Sequence, residues 1–336
     1  MTTNAIGNQI TLAETMKALG SDDRFLSVID GLVEVNDMIA DAPLKEASTI
    51  TSDEISRVVT YPVPQWKNIG EGWNATSGRL QSDSEGMGVM KNRLQINLDV
   101  VDRMPHPEQY MRLQETMHLN AMAEEAANTI VYGSSGSAPE EFDGLDIRYN
   151  ALSSAAWSDN GVFNNGEGSG STCTSIWLIQ WHATECALIY PRYDPNAGLT
   201  RTPKPNQLIN TAADANSPYS NQVSAWFALT EFSWALGLSL ADNRRVKRVC
   251  NIQSTQGDEH SLDEDVLSNA ILDFDTDGPI YAYCNKQVIA QLQKRVNNKS
   301  NVNYVPDSPF AKPMYYFLDV PLRRMKAITN AESVIA

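Results

Sequence analysis

Residues 105–133 read PHPEQYMRLQETMHLNAMAEEAANTIVYG, and this stretch is the clearest helix in the chain. Pro107 suits a first helical turn and Gly133 suits a helix end. Apolar side chains fall near one stripe of this helix, at Tyr110, Leu113, Met117, Ala121 and Ile130. A helix from Pro107 to Tyr132 would be roughly 40 Å long, and no partner helix lies next to it in sequence, so the pattern predicts a strut.

Upstream of this helix, residues 57–104 have the composition of a long hairpin. A middle segment rich in Gly, Ser and Asn, GEGWNATSGRLQSDSEGMG (70–88), lies between two extended segments, SRVVTYPVPQW (56–66) and KNRLQINLDVV (91–101). Alternation in the second extended segment gives it one apolar and one mostly polar face. The pattern predicts two strands joined by a polar tip. The residues before this hairpin contain two apolar stretches and no strong strand.

Downstream of the helix, strands and helices alternate. TSIWLIQWHATECALIY (174–190) is predicted to be a hairpin of two short strands joined by HATE, and WFALTEFSWALGLSLADNRRVKRVCNI (226–252) a strand–turn–strand unit. The last third predicts two helices, near 262–274 and 286–296, with extended segments around them. The chain is therefore of the α+β class, without internal repeats.

Charge and composition exclude several classes of protein. The formal charge of -15 opposes binding to phosphates, so neither nucleic acid nor an anionic membrane is expected as a primary ligand. The first residues lack the basic flank and apolar run of a signal peptide, and no segment reaches the roughly 20 apolar residues of a membrane span. We therefore expect synthesis in a cytoplasm. The four cysteines include no C-x-x-C pair and are expected to be reduced thiols.

One cluster of chemically active residues needs an explanation, because His182, Glu185 and Cys186 lie within five positions of each other. These groups could bind a metal ion or move a proton, which keeps a metal-dependent enzyme open as a hypothesis. Their H-x-x-E-C spacing matches none of the usual zinc patterns, however, so a hairpin turn is favoured. The chain also lacks a nucleophile elbow, a Walker motif and a dinucleotide fingerprint. The basic residues Arg244 and Arg245 are expected to pair with acidic residues, of this or a neighbouring subunit, rather than with nucleic acid.

The order of these segments resembles the major capsid proteins of tailed bacteriophages with the HK97 fold. Several segments look like the uncleaved group found in short-tailed phages related to epsilon15. Five segments carry the resemblance, in that group's order: ANTIVYG, FDGLDIRYNALSS, TSIWLIQWHATECALIYPR, SWALGLSLADNRRVKRVCNI and FLDVPLRRMKAITNAESVI. In that group the segment matching WHATEC is a turn between strands of the body.

The resemblance implies a division of the chain into the parts of the HK97 fold. These parts are an N-arm (1–57), an E-loop hairpin (58–104), a long spine helix with the start of the P-domain (105–142), a mainly P-domain segment with interleaved strands (143–255) and a mainly A-domain segment with a C-terminal return strand (256–336). The E-loop is expected to lie over a neighbouring subunit that covers its apolar arms, because a two-stranded hairpin is marginal alone.

The function that the resemblance implies is that of a major capsid protein, which self-assembles through pentamers and hexamers into an icosahedral head shell enclosing double-stranded DNA. It implies a location in the virion, after assembly in the host cytoplasm, and no catalytic site, metal or cofactor. Scaffolding, portal and decoration proteins are the further partners implied, with packaged DNA contacted only weakly. Subunit contacts are expected at Trp66, Trp73, Arg79, Met90, Leu94, Arg244 and Arg245. A decoration or tail protein of the virion is the alternative hypothesis.

Overall fold

The structure is a computed structural model that describes residues 37–152, 161–166, 172–194, 196, 198–211, 223–253, 260–298 and 315–335. Residues 1–36, most of the expected N-arm, lie outside the described residues. The chain divides into two compact units. Unit 1 comprises Met1–Val35, Val89–Glu124 and Gly198–Trp234, and unit 2 comprises Asn36–Gly88, Glu125–Ala197 and Ala235–Ala336.

The described residues form helices and strands in an α+β arrangement. The helices are α1 (Asp37–Asp41), α2 (Leu98–Val101), α3 (Pro107–Tyr132), α4 (Leu145–Arg148), α5 (Glu264–Leu272) and α6 (Lys286–Asn298). The strands are β1 (Leu44–Glu46), β2 (Ser52–Thr60), β3 (Arg79–Asn97), β4 (Val162–Asn164), β5 (Cys173–Ile179), β6 (Cys186–Tyr190), β7 (Leu199–Thr211), β8 (Val223–Leu240), β9 (Val246–Gln253), β10 (Tyr281–Cys284), β11 (Tyr315–Phe317) and β12 (Val320–Arg324). Within the described parts of the chain, no helix is both long and apolar enough to cross a membrane.

The long helix α3 has the bounds that the sequence predicts. It begins at Pro107, which lacks the N–H that a first turn leaves unbonded. It ends immediately before Gly133, where an added Cβ would lie 2.5 Å from the carbonyl oxygen of Phe142. The chain turns so tightly at this point that only glycine fits.

The buried face of α3 differs from the expected stripe. Tyr110 and Ile130 are buried as expected, but Met117 and Ala121 are exposed. In the C-terminal half the buried apolar residues are Met122, Ala126, Ala127, Ile130 and Val131. Their spacing of four, one, three and one positions places them on one side of the C-terminal half, away from the side that carries Met117 and Ala121.

The first sheet has six strands, in the order β1-β6-β8-β3-β2, with β7 paired to β8. The antiparallel pairing of β2 with β3 runs from Ser52 opposite Gly86 to Thr60 opposite Arg79. Strand β2 therefore starts before the expected E-loop boundary at residue 58. The tip of this hairpin is defined here as residues 61–78, which contain no strand.

The two arms expected from the sequence do not pair with each other, so that prediction was wrong. The first strand ends at Thr60 because Pro62 and Pro64 have no N–H with which to continue a ladder. Of the segment expected to be the second arm, residues 91–97 form the end of β3, beyond the stretch that pairs with β2, and residues 98–101 form α2.

Unit 1 has a hydrophobic core of its own. Its buried members are Leu94, Ile96, Met104, Tyr110, Met122 and Phe232. Met90 packs against this core and is half-buried. Helix α3 and strand β8 thus cover the apolar face of β3 within the chain. The expectation that a neighbouring subunit covers this face at Leu94 is therefore wrong, since Leu94 is only 1% exposed.

The second sheet also has six strands, in the order β11-β12-β10-β5-β9-β4. One hydrophobic core joins this sheet to α5 and α6, through residues such as Ile176, Val249, Leu267, Val288 and Leu322. Strands from before residue 255 therefore share a sheet and a core with elements from after it. The structure places no boundary between compact units at 255, because antiparallel neighbours in this sheet are distant in sequence.

The predicted hairpin at 174–190 is corrected in one respect. Its strands β5 and β6 belong to different sheets, and an isolated bridge pairs His182, beyond the end of β5, with Cys186 at the start of β6. Strands β8 and β9 are divided between the same two sheets. The chain therefore crosses from one sheet to the other at residues 180–186 and again at residues 241–245.

Candidate assembly surface

The tip of the β2–β3 hairpin presents large apolar side chains to solvent. Trp66 and Ile69 are fully exposed, and Trp73 is 79% exposed. Tyr61 and Val63 are also exposed. Apolar and aromatic side chains concentrated in one exposed segment are typical of a surface that binds another protein. The tip is therefore the first candidate for a contact between subunits.

The root of the same hairpin is held within unit 2 by two ion pairs, one buried and one partly buried. Arg148 donates two hydrogen bonds to the carboxylate of Glu85 on β3, each 2.7 Å long. On β2, the carboxylate of Asp53 accepts hydrogen bonds from the Lys45 ammonium at 2.6 Å and from the Ser239 hydroxyl at 3.0 Å. A two-point Arg–carboxylate bond holds orientation as well as distance. The hairpin therefore has a rigid root and a solvated tip.

Of the other residues expected at subunit contacts, Arg79 and Arg244 are exposed and Arg245 is buried. Arg79 is exposed at the start of β3. Arg244 is exposed and bonds Asp242 within its own turn, at 2.8 Å. Arg245 is 7% exposed and its guanidinium bonds groups of the same chain. Arg245, like Leu94, is thus corrected from a subunit contact to an internal residue.

The cluster at His182, Glu185 and Cys186 is a turn. The backbone N–H groups of His182 and Cys186 each donate to the other's carbonyl oxygen at 3.0 Å, which closes a tight loop. The Glu185 carboxylate accepts a short hydrogen bond from the Arg245 guanidinium. The Cys186 thiol is buried at the start of β6. Among the described residues, no three His, Cys, Asp or Glu side chains are arranged to hold a metal ion.

The turn is bonded to the second crossing between the sheets. The Glu185 carbonyl oxygen accepts from the backbone N–H of Ala241 at 2.7 Å, and the Gln180 N–H donates to the Arg245 carbonyl at 2.9 Å. The Arg245 guanidinium also donates to the Gln180 side chain at 3.1 Å. Glu185 and Arg245 thus hold the two crossings together. Glu185 and Cys186 of this turn therefore have structural roles.

Replacing Glu185 by Ala is expected to lower the free energy of unfolding by about 2 kcal/mol, because it leaves the buried Arg245 guanidinium without its carboxylate. His182→Ala is the matched control, since His182 is exposed in the same turn, and should change stability by less than about 0.5 kcal/mol. Urea unfolding followed by circular dichroism measures both. Equal stability of the two variants would show that the Glu185–Arg245 pair does not hold the crossings.

The four cysteines are buried and free, as expected from their spacing. Burial raises the pKa of the Cys186 and Cys284 thiols to about 12 and that of Cys250 to about 11. Burial, followed by the charge of Glu332, raises the pKa of Cys173. A thiol with a raised pKa holds little of the reactive thiolate at neutral pH.

Reaction of the folded chain with Ellman's reagent at pH 8 is therefore expected to be at least about tenfold slower than reaction of the chain unfolded in guanidinium. Absorbance of the released thiolate reports the rate. A thiol in the folded chain that reacts as fast as in the unfolded chain would contradict the burial of these groups.

Comparison with known proteins identifies the family. A family model described as "Major capsid protein GP7" matches residues 20–336. The chain belongs to this family. It is thus a major capsid protein that forms a head shell, as the resemblance of its segments implied. A search of curated proteins finds no match.

Solved structures show the fold of this GP7-family chain. The structure of bacteriophage epsilon15 matches with a TM-score of 0.71 and 23% identity, over 97% of this chain and 97% of that one. The capsid of bacteriophage JBD30 matches with a TM-score of 0.50 and 13% identity, over 95% of this chain and 99% of that one. The expected HK97-like fold is thereby confirmed.

A buried polar cluster near the end of the GP7-family chain was not visible in its sequence. The Glu332 carboxylate accepts hydrogen bonds from the Tyr132 hydroxyl at 2.5 Å, from the Arg248 guanidinium at 3.0 Å and from the Ser175 hydroxyl. Its backbone pairs with Cys173 at the start of β5. Tyr132 is the last residue of α3. The cluster therefore ties the end of the long helix to the second sheet.

The sequence also did not indicate an exposed apolar pair on the first sheet. Leu208 on β7 lies directly opposite Trp226 on β8, and each is 55% exposed. Cross-strand neighbours occupy the same face of a sheet. Only the register of β7 with β8 brings these two residues together, so periodicity alone could not indicate the pair.

Proposed function

We propose that the tip, residues 61–78, is the end of an E-loop that contacts a neighbouring subunit of the shell. The observation that supports this most directly is the exposure of Trp66, Ile69 and Trp73. Burying aromatic side chains against a neighbour removes apolar area from water, which favours association. Arg79 and Arg244 are proposed to add polar contacts at the edges of such interfaces, where exposed charges favour the correct partner over others.

The shell is proposed to be icosahedral, with copies arranged in closed rings of five and six through head-to-tail contacts. Each subunit then contributes several weak contacts, and the stability of the shell is collective. Scaffolding, portal and decoration proteins are proposed as further partners, with assembly in the host cytoplasm.

The enclosed ligand is proposed to be double-stranded DNA. The net charge of -15 supports a lining that contacts this DNA only weakly, because few phosphates would be neutralised. A weakly binding lining lets DNA move while a head is filled.

The domain names of the HK97 fold are proposed for the observed elements. The E-loop comprises β2, the tip and the paired half of β3, and the spine helix is α3. The second sheet with α5 and α6 has a core of its own, which supports its assignment as the A-domain. The P-domain then comprises α3 with the long strands β7 and β8, and the N-arm comprises the residues before β2.

No catalytic role is proposed for the WHATEC turn. The Cys186 thiol is buried and the Glu185 carboxylate is bonded to Arg245, so two of the three candidate groups have structural roles. The alternative of a decoration or tail protein is set aside by membership of the major capsid family.

Tryptophan fluorescence tests the proposed role of the tip. In free subunits Trp66 and Trp73 should be readily quenched by acrylamide, and in assembled shells both should be protected. A Trp66→Phe, Trp73→Phe variant is the control, because the difference between it and the native chain isolates the tip from the other tryptophans. If acrylamide quenches the fluorescence of Trp66 and Trp73 equally in shells and in free subunits, the tip has no buried contact with a neighbour.

A further inference from the structure

The β11–β12 hairpin closes on an unusual turn. Phe317 is paired with Val320, and the two residues between them, Leu318 and Asp319, have φ angles of 47° and 65°. A two-residue hairpin turn with positive φ at both positions favours Asn and Gly, since glycine reaches this region without strain. A leucine there is strained because its Cβ approaches the backbone closely.

Among the residues that the structure describes, burial does not account for the choice of leucine. The strand residues beside the turn point into the core, with Val320 at 5% and Leu322 at 9% exposed. Leu318, by contrast, is 57% exposed, and Tyr316 on the same hairpin is 51% exposed. The strain of the turn is therefore not offset by burial of the leucine side chain in its own subunit. Strained residues of this kind persist where another role requires them.

We propose that Leu318 contacts a second copy of this chain in the shell. A second copy is the occupant because members of this major capsid family form shells of like subunits. The two half-exposed side chains offer on the order of 200 Å² of surface, far below the roughly 1,200 Å² of a stable pair. The contact therefore forms only where many such contacts are made together, as in a closed shell. It is separate from the tip of the β2–β3 hairpin.

Two substitutions in the same turn test the proposal. Leu318→Asn relieves the strain of the leucine and removes its apolar side chain, whereas Asp319→Gly changes the neighbouring turn position and keeps Leu318. Leu318→Asn should raise the melting temperature of the unassembled subunit, by about 1–3 °C. Leu318→Asn should raise the subunit concentration needed for assembly at least about tenfold, because the contact is lost at every copy. Asp319→Gly should leave that concentration unchanged.

Differential scanning calorimetry of subunits and sedimentation of assembly mixtures give both readouts, with any scaffolding partner held constant. Assembly of Leu318→Asn at the native concentration would overturn the proposal. A lower melting temperature for the Leu318→Asn subunit would overturn it as well, since another part of the same chain would then cover the leucine. An unchanged melting temperature for Leu318→Asn would remove the strain on which the proposal rests. Failure of the native chain to assemble would instead contradict the shell-forming function itself.

Discussion

Replacement of residues 62–77 by Asn-Gly is expected to give a folded subunit that forms no stable shells. The removed segment carries Trp66, Ile69 and Trp73, whose side chains are exposed and contribute little to the subunit's own core. Residues 79–86 must remain because they pair with β2. The remaining ends, Tyr61 and Gly78, lie directly next to the paired residues Thr60 and Arg79, and Asn-Gly favours the tight turn that joins such strands.

The subunit should keep its circular dichroism spectrum, and its free energy of unfolding should stay within about 1 kcal/mol of the native value, since surface changes usually have small effects. Electron microscopy should show no closed shells. A double variant, Trp66→Ser with Trp73→Ser, keeps the tip at its native length. It therefore separates the loss of aromatic contacts from the shortening of the hairpin. Normal shells from the shortened chain would show that the tip is dispensable, and an unfolded product would place the tip in the subunit core.

Glu332→Ala is expected to cause the largest loss of stability of any single substitution considered, about 3–5 kcal/mol. The substitution removes the buried partner of Arg248, whose own exposure is 1%. It also leaves the Tyr132 and Ser175 hydroxyls without their acceptor. Asp146 remains bonded to Arg248 at 2.7 Å but is partly exposed, so it replaces only part of the lost interaction.

Thermal unfolding followed by circular dichroism measures the effect, and the midpoint should fall by roughly 10 °C. Glu332→Gln keeps the size and an oxygen acceptor, so its loss should be smaller. Glu54→Ala removes an exposed glutamate from β2 and should change stability by less than about 0.5 kcal/mol. A Glu332→Ala subunit as stable as the Glu54→Ala control would mean that the buried cluster does not tie α3 to the second sheet.

Local signals in the sequence were sufficient for the elements they mark directly. Pro107 and Gly133 marked both ends of α3, because one lacks an N–H and the other lacks a Cβ. The Gly- and Ser-rich composition of residues 70–88 indicated an exposed tip, but only residues 70–78 of that segment lie in the tip, and the rest belongs to β3. The order of segments was sufficient to indicate the capsid family, which the family model confirms.

Long-range pairing could not be predicted in the same way. Strands β5 and β6 look like a hairpin because a short turn separates two apolar segments, yet each pairs with different strands. The burial of Leu94 depends on Phe232, which lies far away in sequence. Glu332 bonds Ser175 across 157 positions, and no local pattern distinguishes it from a surface glutamate. The turn at Leu318 and Asp319 carries neither glycine nor asparagine, so its geometry had no sequence signal.

Copies of this chain should build a closed shell in which each tip lies against a neighbour. Cryo-electron microscopy of particles from cells expressing the chain, alone and together with neighbouring phage genes, is the direct test. We predict closed shells with five- and six-membered rings and with Trp66 and Trp73 buried between subunits. The prediction fails if only monomers or dimers form under every condition, or if both tryptophans remain in solvent in the shells.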